Sequence, residues 1–260
     1  MTEPISVAGA IASVTLVLLA AGLSWWRGVG VEKSVLWAAF RAAVQLLAVG
    51  AVLAVIFTSP GAMVFAWLWV VFMVVIAAET AKRRAPEVPG LRTTVFLAIG
   101  GSAAVALAVV FGFQILELTP VTVVVTAGIT IGNTMPSTVL ASDLVVNYLQ
   151  DNRLQIEGLL ALGFDEKGAS QFLVRTTSRT ALIPQIERTK VVGLIALPGA
   201  MTGLLLAGVE PIDAVIVQLV VMYLVLAAVV VAVLVVVTTI SRRAFTPDLR
   251  LEPWTVRGEG

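Results

Sequence analysis

The sequence predicts an all-α, polytopic integral membrane protein with about seven transmembrane helices, its N-terminus outside and its C-terminus cytoplasmic. Three observations predict it. Of 260 residues, 59% are hydrophobic and only 13% charged, against roughly 45–50% apolar and about 25% charged in soluble domains. So much Leu, Val and Ala cannot be hidden behind so few charges in a soluble fold, which excludes soluble enzymes and DNA-binding modules. Apolar stretches close to the ~20 residues that cross a ~30 Å hydrocarbon core recur along the whole chain. Finally, the charges sort by loop: Lys+Arg total 17 and Asp+Glu 16, yet the basic residues collect after alternate stretches.

The first span, Ile5–Trp26, lacks a basic leading segment and a small-x-small cleavage site, so it reads as a retained helix. Arg27 and Lys33 follow it, and Trp25, Trp26 and Trp37 suit an interfacial position where the indole keeps one wet edge. Val35–Phe57 carries Arg41 and Gln45 one turn apart and ends at the uncharged Thr58-Ser59-Pro60-Gly61 turn. Ala62–Ala78 is followed by Lys82, Arg83, Arg84 and Arg92, and Thr93–Phe113 by a loop holding Glu117. Val121–Val146 is the most polar span, with Asn133, Thr134, Ser137, Asp143 and then Asn147. Residues 147–190 form the only segment long enough to fold outside the bilayer, and they carry Arg153, Lys167, Arg175, Arg179, Arg188 and Lys190. Val191–Val209 and Ala214–Ile240 complete the count around an acidic turn at Glu210-Pro211, and Arg242, Arg243, Arg250 and Arg257 lie in the tail. On this reading 16 of the 17 basic residues lie on one side, Arg41 being the exception. The positive-inside rule makes that side cytoplasmic, and the segment Met1-Thr2-Glu3-Pro4 external. The chain reads as one membrane domain, residues 1–260.

The long loop has internal punctuation. Arg153 to Leu162 predicts a short helix ended by Gly163, and Asp165 caps a second helix with Glu166 in its first turn. That helix is expected to run to about Ile183, where Pro184 breaks it. Lys167, Gln171, Arg175 and Arg179 fall on one face at four-residue steps, with Phe172, Leu173, Thr176 and Thr180 on another. Such a helix rests on anionic headgroups or docks into a partner's groove.

The chain contains no Cys and no His, which removes disulfides, thiolate and imidazole metal sites and the commonest nucleophiles and bases. With a net charge of +1, no bulk attraction to nucleic acid is expected. No Gly-x-x-x-x-Gly-Lys-Ser/Thr occurs, so this chain is expected to hold no cofactor of its own, and any ATP and Mg would sit on a partner. Polar groups within spans are costly and therefore functional candidates. The expected path residues are Arg41, Gln45, Asn133, Met135, Asp143, Met201, Gln218 and Met222, with helix breaks at Pro136, Pro198 and Gly199. Asn133 and Asp143 are the oxygen donors open to a weakly held metal ion, which is what a path that must release its cargo calls for.

Glu157 to Gly163, followed some twenty residues on by Leu182-Ile183-Pro184, resembles the coupling loop of ABC transporter permeases. Arg41-x-x-x-Gln45-Leu46, Gly132-Asn133-Thr134-Met135, Ile183-Pro184 and the run Gly193 to Gly203 through Leu197-Pro198-Gly199 are similar in order and spacing to the FetB-type iron-export permeases. The similarity extends roughly from Val31 to Arg243. Two positions depart from the family pattern: Ala200 stands where a Met is common, and Pro136 where a small or polar residue is usual.

The resemblance implies that Glu157, Leu159, Leu160, Ala161, Leu162 and Gly163, with Arg175 and Arg179, couple to a cytoplasmic ABC ATPase, making 147–190 a coupling loop. It also implies a homodimer with a second copy of this permease, placement in the bacterial cytoplasmic (inner) membrane, and iron as cargo. Two other readings stand beside it. One is an ABC permease for another small solute. The other is an ion-coupled secondary carrier, for which Asp143 and Glu79 are the available intramembrane acids.

Overall fold

In a computed structural model the structure describes residues 7–256 apart from Arg84 and Ala196, with only the backbone described for Val7, Ala8, Ala10 and Ile11. The expected external segment Met1-Thr2-Glu3-Pro4, the first residues of span one, Arg84 and Arg257 lie outside these. The described residues contain nine α-helices and no strand: α1 Val7–Trp26, α2 Glu32–Thr58, α3 Ala62–Lys82, α4 Leu91–Gly112, α5 Pro120–Asp151, α6 Arg153–Ala161, α7 Glu166–Val191, α8 Gly199–Leu206 and α9 Pro211–Arg243. The chain divides into two compact units, residues 1–62 and 63–260.

In the first unit α1 and α2 pack together as a helical hairpin. Its connection uses Gly28 and Gly30 at φ +64° and +77°, a conformation that costs a side-chain-bearing residue strain. Arg27 lies over the Trp26 ring, 5.2 Å from its centroid. Arg41 and Gln45 are both exposed on α2.

The second unit is organised around α9, which packs against α4, α5, α7 and α8. Its Val229, Val233, Val236, Val237 and Ile240 are completely buried. Small residues make the close approaches: Ala98 and Ala103 on α4, Ala127 and Ala141 on α5, Ala181 on α7, and Ala228 and Ala232 on α9 are buried. This is the expected solution where lipid supplies no hydrophobic drive and backbone proximity must supply contact. Replacing Ala232 by Leu should therefore overpack the seam and cost about 1–3 kcal/mol, read as a lowered thermal midpoint of the purified protein in detergent.

Among the described residues five helices (α2, α3, α4, α5 and α9) are long and apolar enough to cross a membrane, and a shorter apolar stretch runs from Ala12 to Trp26. The polar span α5 is possible because its hydroxyls turn onto their own helix. Thr130, Thr134 and Ser142 donate to the carbonyls four residues back at 2.8, 2.6 and 2.9 Å, which satisfies groups that lipid cannot. Thr119 caps this helix, its hydroxyl accepting from the Thr122 N–H, with Pro120 in the first turn.

Three expectations are corrected. Pro184 does not break α7, which continues to Val191. Ala181 and Gln185 on either side of it are buried against neighbouring helices, and that packing holds the helix through the one missing N–H. Nor is α7 a helix lying at the membrane surface: it buries Ala169, Leu173, Thr177, Ala181 and Gln185, and of the second face Leu173 is buried while Phe172 and Thr180 are exposed. With its buried face α7 lies along α5 and α9 instead of flat beside them. The stretch Val191–Val209 is not one spanning helix either. It turns at Gly193, φ +84°, and resumes only as the eight-residue α8. Pro198 holds Leu197 out of helical geometry, and α8 rises only about 12 Å.

At the end of the unit that carries α6, the chain beyond α9 folds back. Phe245 and Leu251 form an antiparallel bridge, a 3-10 turn covers Pro253–Thr255, and Arg153 Nη1 donates to Thr255 Oγ1 at 3.3 Å. Arg243 donates to the Pro89 carbonyl at 2.8 Å and ties α9 to the α3–α4 connection.

Candidate translocation site

The polar residues that meet in the second unit come from three helices, α5, α7 and α9, and the start of α8 joins them. Asn133 on α5 donates from Nδ2 to the Ile129 carbonyl at 2.7 Å, which fixes its amide. Its Oδ1 accepts from Arg188 Nη1 of α7 at 2.8 Å. This bond spans 55 residues of sequence and pins the far end of α7 to α5. A cavity of ≈ 410 Å³ opens beside it, lined among others by Asn133, Gln185, Arg188, Pro198, Gly199, Gln218 and Met222. Gln218, on α9, is 5% exposed and its Oε1 has no partner. A second cavity of ≈ 210 Å³ lies between α5 and α7, where Pro136 and Pro184 line the same wall with Gly132, Asn133 and Arg188. Because neither proline has an N–H, the carbonyls of Gly132 and Thr180 lose their helical donors.

These groups lie far from the helix ends, although Arg188 is exposed and Asn133 half-buried. Asn133 is 13 residues from the start of α5 and 18 from its end, or about 20 and 27 Å along the axis. Arg188 is level with it. A guanidinium at that depth sets the electrostatics. Two like unit charges 4 Å apart repel by about 4 kcal/mol at an effective dielectric near 20, so a bare divalent cation beside Arg188 meets about 8 kcal/mol. No residue lining either cavity is acidic.

The structure thus brings together Asn133, Gln218, Met222, Pro198 and Gly199, with Pro136 on the adjoining wall. It does not bring Asp143 to them. Asp143 is half-buried ten residues further along α5, about 15 Å from Asn133, so the two do not form one metal site. Among the described residues no group of three or more acidic side chains is placed to hold a metal ion. Met135 and Met201 are half-buried and line neither cavity. Arg41 and Gln45 belong to the first unit.

Two residues of the site escaped the sequence reading. Arg188 was placed in a loop, and Gln185 was past the expected helix end. The signal was present, because Leu173, Thr177, Ala181 and Gln185 recur at four-residue steps, and Arg188 follows Gln185 one turn on.

Of the residues expected to couple to an ATPase, Glu157 to Gly163 lie on and just after α6. The α6 helix ends at Gly163, φ +89°, and Asp165 then caps α7 by accepting from the Gly168 N–H at 2.8 Å. Glu157 is half-buried and bonded to Arg153 Nε at 2.8 Å. Leu159 and Leu160 are half-buried, Ala161 and Gly163 are exposed, and Leu154 and Leu162 are 85% and 78% exposed. Arg175 and Arg179 are exposed further along α7, with Arg175 beside Arg242 in a separate cavity.

Fold and site together define a multi-pass helical membrane protein with a largely apolar cavity at an interrupted helix, into which Asn133, Gln185, Arg188 and Gln218 bring polar groups. The chain belongs to UPF0014, described as an uncharacterised protein family, which it matches over residues 7–245. It is 36% identical over 214 residues to "UPF0014 membrane protein STAR2" of Oryza sativa subsp. japonica, covering 82% of this chain and 74% of that one. It is 34% identical over 212 residues to the "Probable iron export permease protein FetB" of Escherichia coli (strain K12), with 82% of each chain covered. "Protein ALUMINUM SENSITIVE 3" of Arabidopsis thaliana is 32% identical over 213 residues, covering 81% of this chain and 77% of that one. No solved structure matches.

Proposed function

We propose that this chain is the membrane-spanning permease subunit of an ATP-driven ABC transporter that exports iron or a related metal species across the bacterial cytoplasmic membrane. The observation that carries this reading is α6. It is a nine-residue helix at the end of the bundle, closed by a left-handed glycine, with apolar Leu154 and Leu162 exposed. An apolar helix tip outside the spans is a docking element for a partner cleft. ATP and Mg belong to that partner ATPase, and this chain supplies no hydrolytic chemistry. Arg188 is exposed in the single chain although level with mid-span groups. A charge at that depth requires protein or water around it, which supports a second copy of the permease across the path. The iron cargo is supported by the printed name of the Escherichia coli relative.

In this arrangement α1, α2, α3, α4, α5 and α9 cross the membrane, and α7 with α8 makes an interrupted crossing. The end carrying α6 faces the cytoplasm. A Cys introduced at Gly61 or Glu210 should then label from outside intact cells, and inside-out vesicles containing permease and ATPase should accumulate iron only with ATP. Labelling from the inside alone, or uptake indifferent to ATP, would overturn the assignment.

A further inference from the structure

We propose that the cavity between α5, α7, α8 and α9 receives an oxyanion, a phosphate or carboxylate group borne by the cargo, so that a metal crosses as an anionic complex and not as a bare cation. This rests on the permease reading above and names the chemical class of what passes. Three independent features converge on the cavity. The first amides of α8 open onto it: Pro198, Gly199 and Ala200 line the wall, and Pro198, as N-cap, makes no side-chain bond to them. The orphan N–H groups and dipole of a helix start favour negative charge, and interrupted membrane helices use them to meet anionic groups.

From the facing side comes Arg188. Its Nη1 is held by Asn133 at 2.8 Å, and Asn133 is anchored to Ile129, so the guanidinium is fixed in direction with donors to spare. Among the described residues it has no carboxylate partner, because the neighbouring Glu187 bonds Lys190 at 2.8 Å instead. A planar guanidinium matches the two oxygens of a phosphate or carboxylate. The third feature is Gln218, nine-tenths buried, lining the same space with its Oε1 unpartnered, an acceptor that takes a hydrogen bond from a hydroxyl or a protonated oxygen carried by the anionic group. A buried acceptor without a donor is costly unless a ligand supplies one. The carbonyls freed by Pro136 and Pro184 accept hydrogen bonds and offer no opposing formal charge.

The test uses the full-length chain in nanodiscs of uncharged lipid, so that headgroups do not compete. Calorimetry is run with inorganic pyrophosphate, with citrate-complexed ferric iron and with ferrous chloride. The expected result is that pyrophosphate, the iron–citrate complex or both bind and ferrous ion alone does not. Binding should weaken at least about tenfold in Arg188→Gln, the loss of one charge-assisted contact, and recover only in part in Arg188→Lys, which restores the charge without the planar fork. Gln218→Leu, an apolar replacement suited to a buried site, should also bind several-fold more weakly, and it serves if Arg188→Gln does not fold. Binding of pyrophosphate alone identifies phosphate as the recognised group, and binding of the citrate complex alone identifies carboxylate. Ferrous ion binding that is unchanged or strengthened in Arg188→Gln, or no binding of either oxyanion probe, overturns the proposal. Stimulation of the partner ATPase by the wild-type chain is measured in parallel. If it is absent while pyrophosphate binds, the permease reading falls and the oxyanion site stands.

Discussion

Replacing Asn133 with Leu is expected to abolish export while leaving the protein in the membrane at its normal level. The two side chains are similar in size, and Leu is the better helix former, so α5 loses no packing and no propensity. What disappears is the local bond to the Ile129 carbonyl, together with the bond from Arg188, whose loss has two consequences. Arg188 Nη1 loses its acceptor at 2.8 Å, and the far end of α7 loses its polar tie to α5. A hydrogen bond to a charged group is worth about 1.5–3 kcal/mol, and a charge left without it at membrane depth must move. The guanidinium then swings from the cavity or draws in water, and the chemistry lined up with Gln218 and the start of α8 is lost. Intracellular iron in cells expressing the variant, compared at equal membrane levels, reads the effect. Iron held as low as with the wild-type chain would show that Asn133 takes no part in the path. Asn133→Asp keeps an acceptor in place yet neutralises Arg188 by pairing, so an equal failure there would locate the requirement in the free positive charge.

The extent of sequence legibility follows from what hydropathy averages. Helices that are apolar around their whole circumference stand out: the expected Val35–Phe57 and Ala214–Ile240 fall within α2 and α9. Capping chemistry was also readable, and Gly163 and Asp165 stand where a left-handed turn and an N-cap were expected. The depth of α7 was not. Its buried face is built from Ala, Ser, Thr and Gln, with Leu173 as its one large apolar residue, so a helix packed against two spans has the composition of a surface one. Neighbouring helices rather than lipid satisfy it, and no single-sequence hydropathy signal reports that. The same error displaced Arg188. Counting it among cytoplasmic loop charges made the charge pattern tidier than it is, and hid the charged side chain of the central cavity. Conversely Val191–Val209 is apolar enough to span, yet Gly193 and Pro198 dictate turns that composition ignores.

Glu157→Lys is expected to prevent assembly with the ATPase, and the structure says which control the result needs. Glu157 is bonded to Arg153, and Arg153 reaches Thr255 of the returning tail. The substitution therefore disturbs both an internal ion pair and the surface of α6. The internal share is small. The pair is 29% and 40% exposed, and such pairs contribute about 0.2–1 kcal/mol, too little to unfold a bundle whose core lies around α9. Residues at the centre of an interface cost about 2 kcal/mol or more when altered, a loss of roughly thirtyfold in affinity. The two shares separate in the exchanged variant Arg153→Glu with Glu157→Arg, which restores the internal pair while reversing the charge on the helix. If the carboxylate of Glu157 meets the ATPase, the exchanged chain should fold normally and still fail to assemble. Gly163→Trp supplies an independent arm, since a bulky residue at φ +89° both strains the turn and fills the docking tip. Normal assembly and ATPase stimulation in the exchanged chain would confine Glu157 to an internal structural role. The same outcome for Gly163→Trp would place the ATPase contact elsewhere on the cytoplasmic surface, with the exposed arginines of α7 next in line.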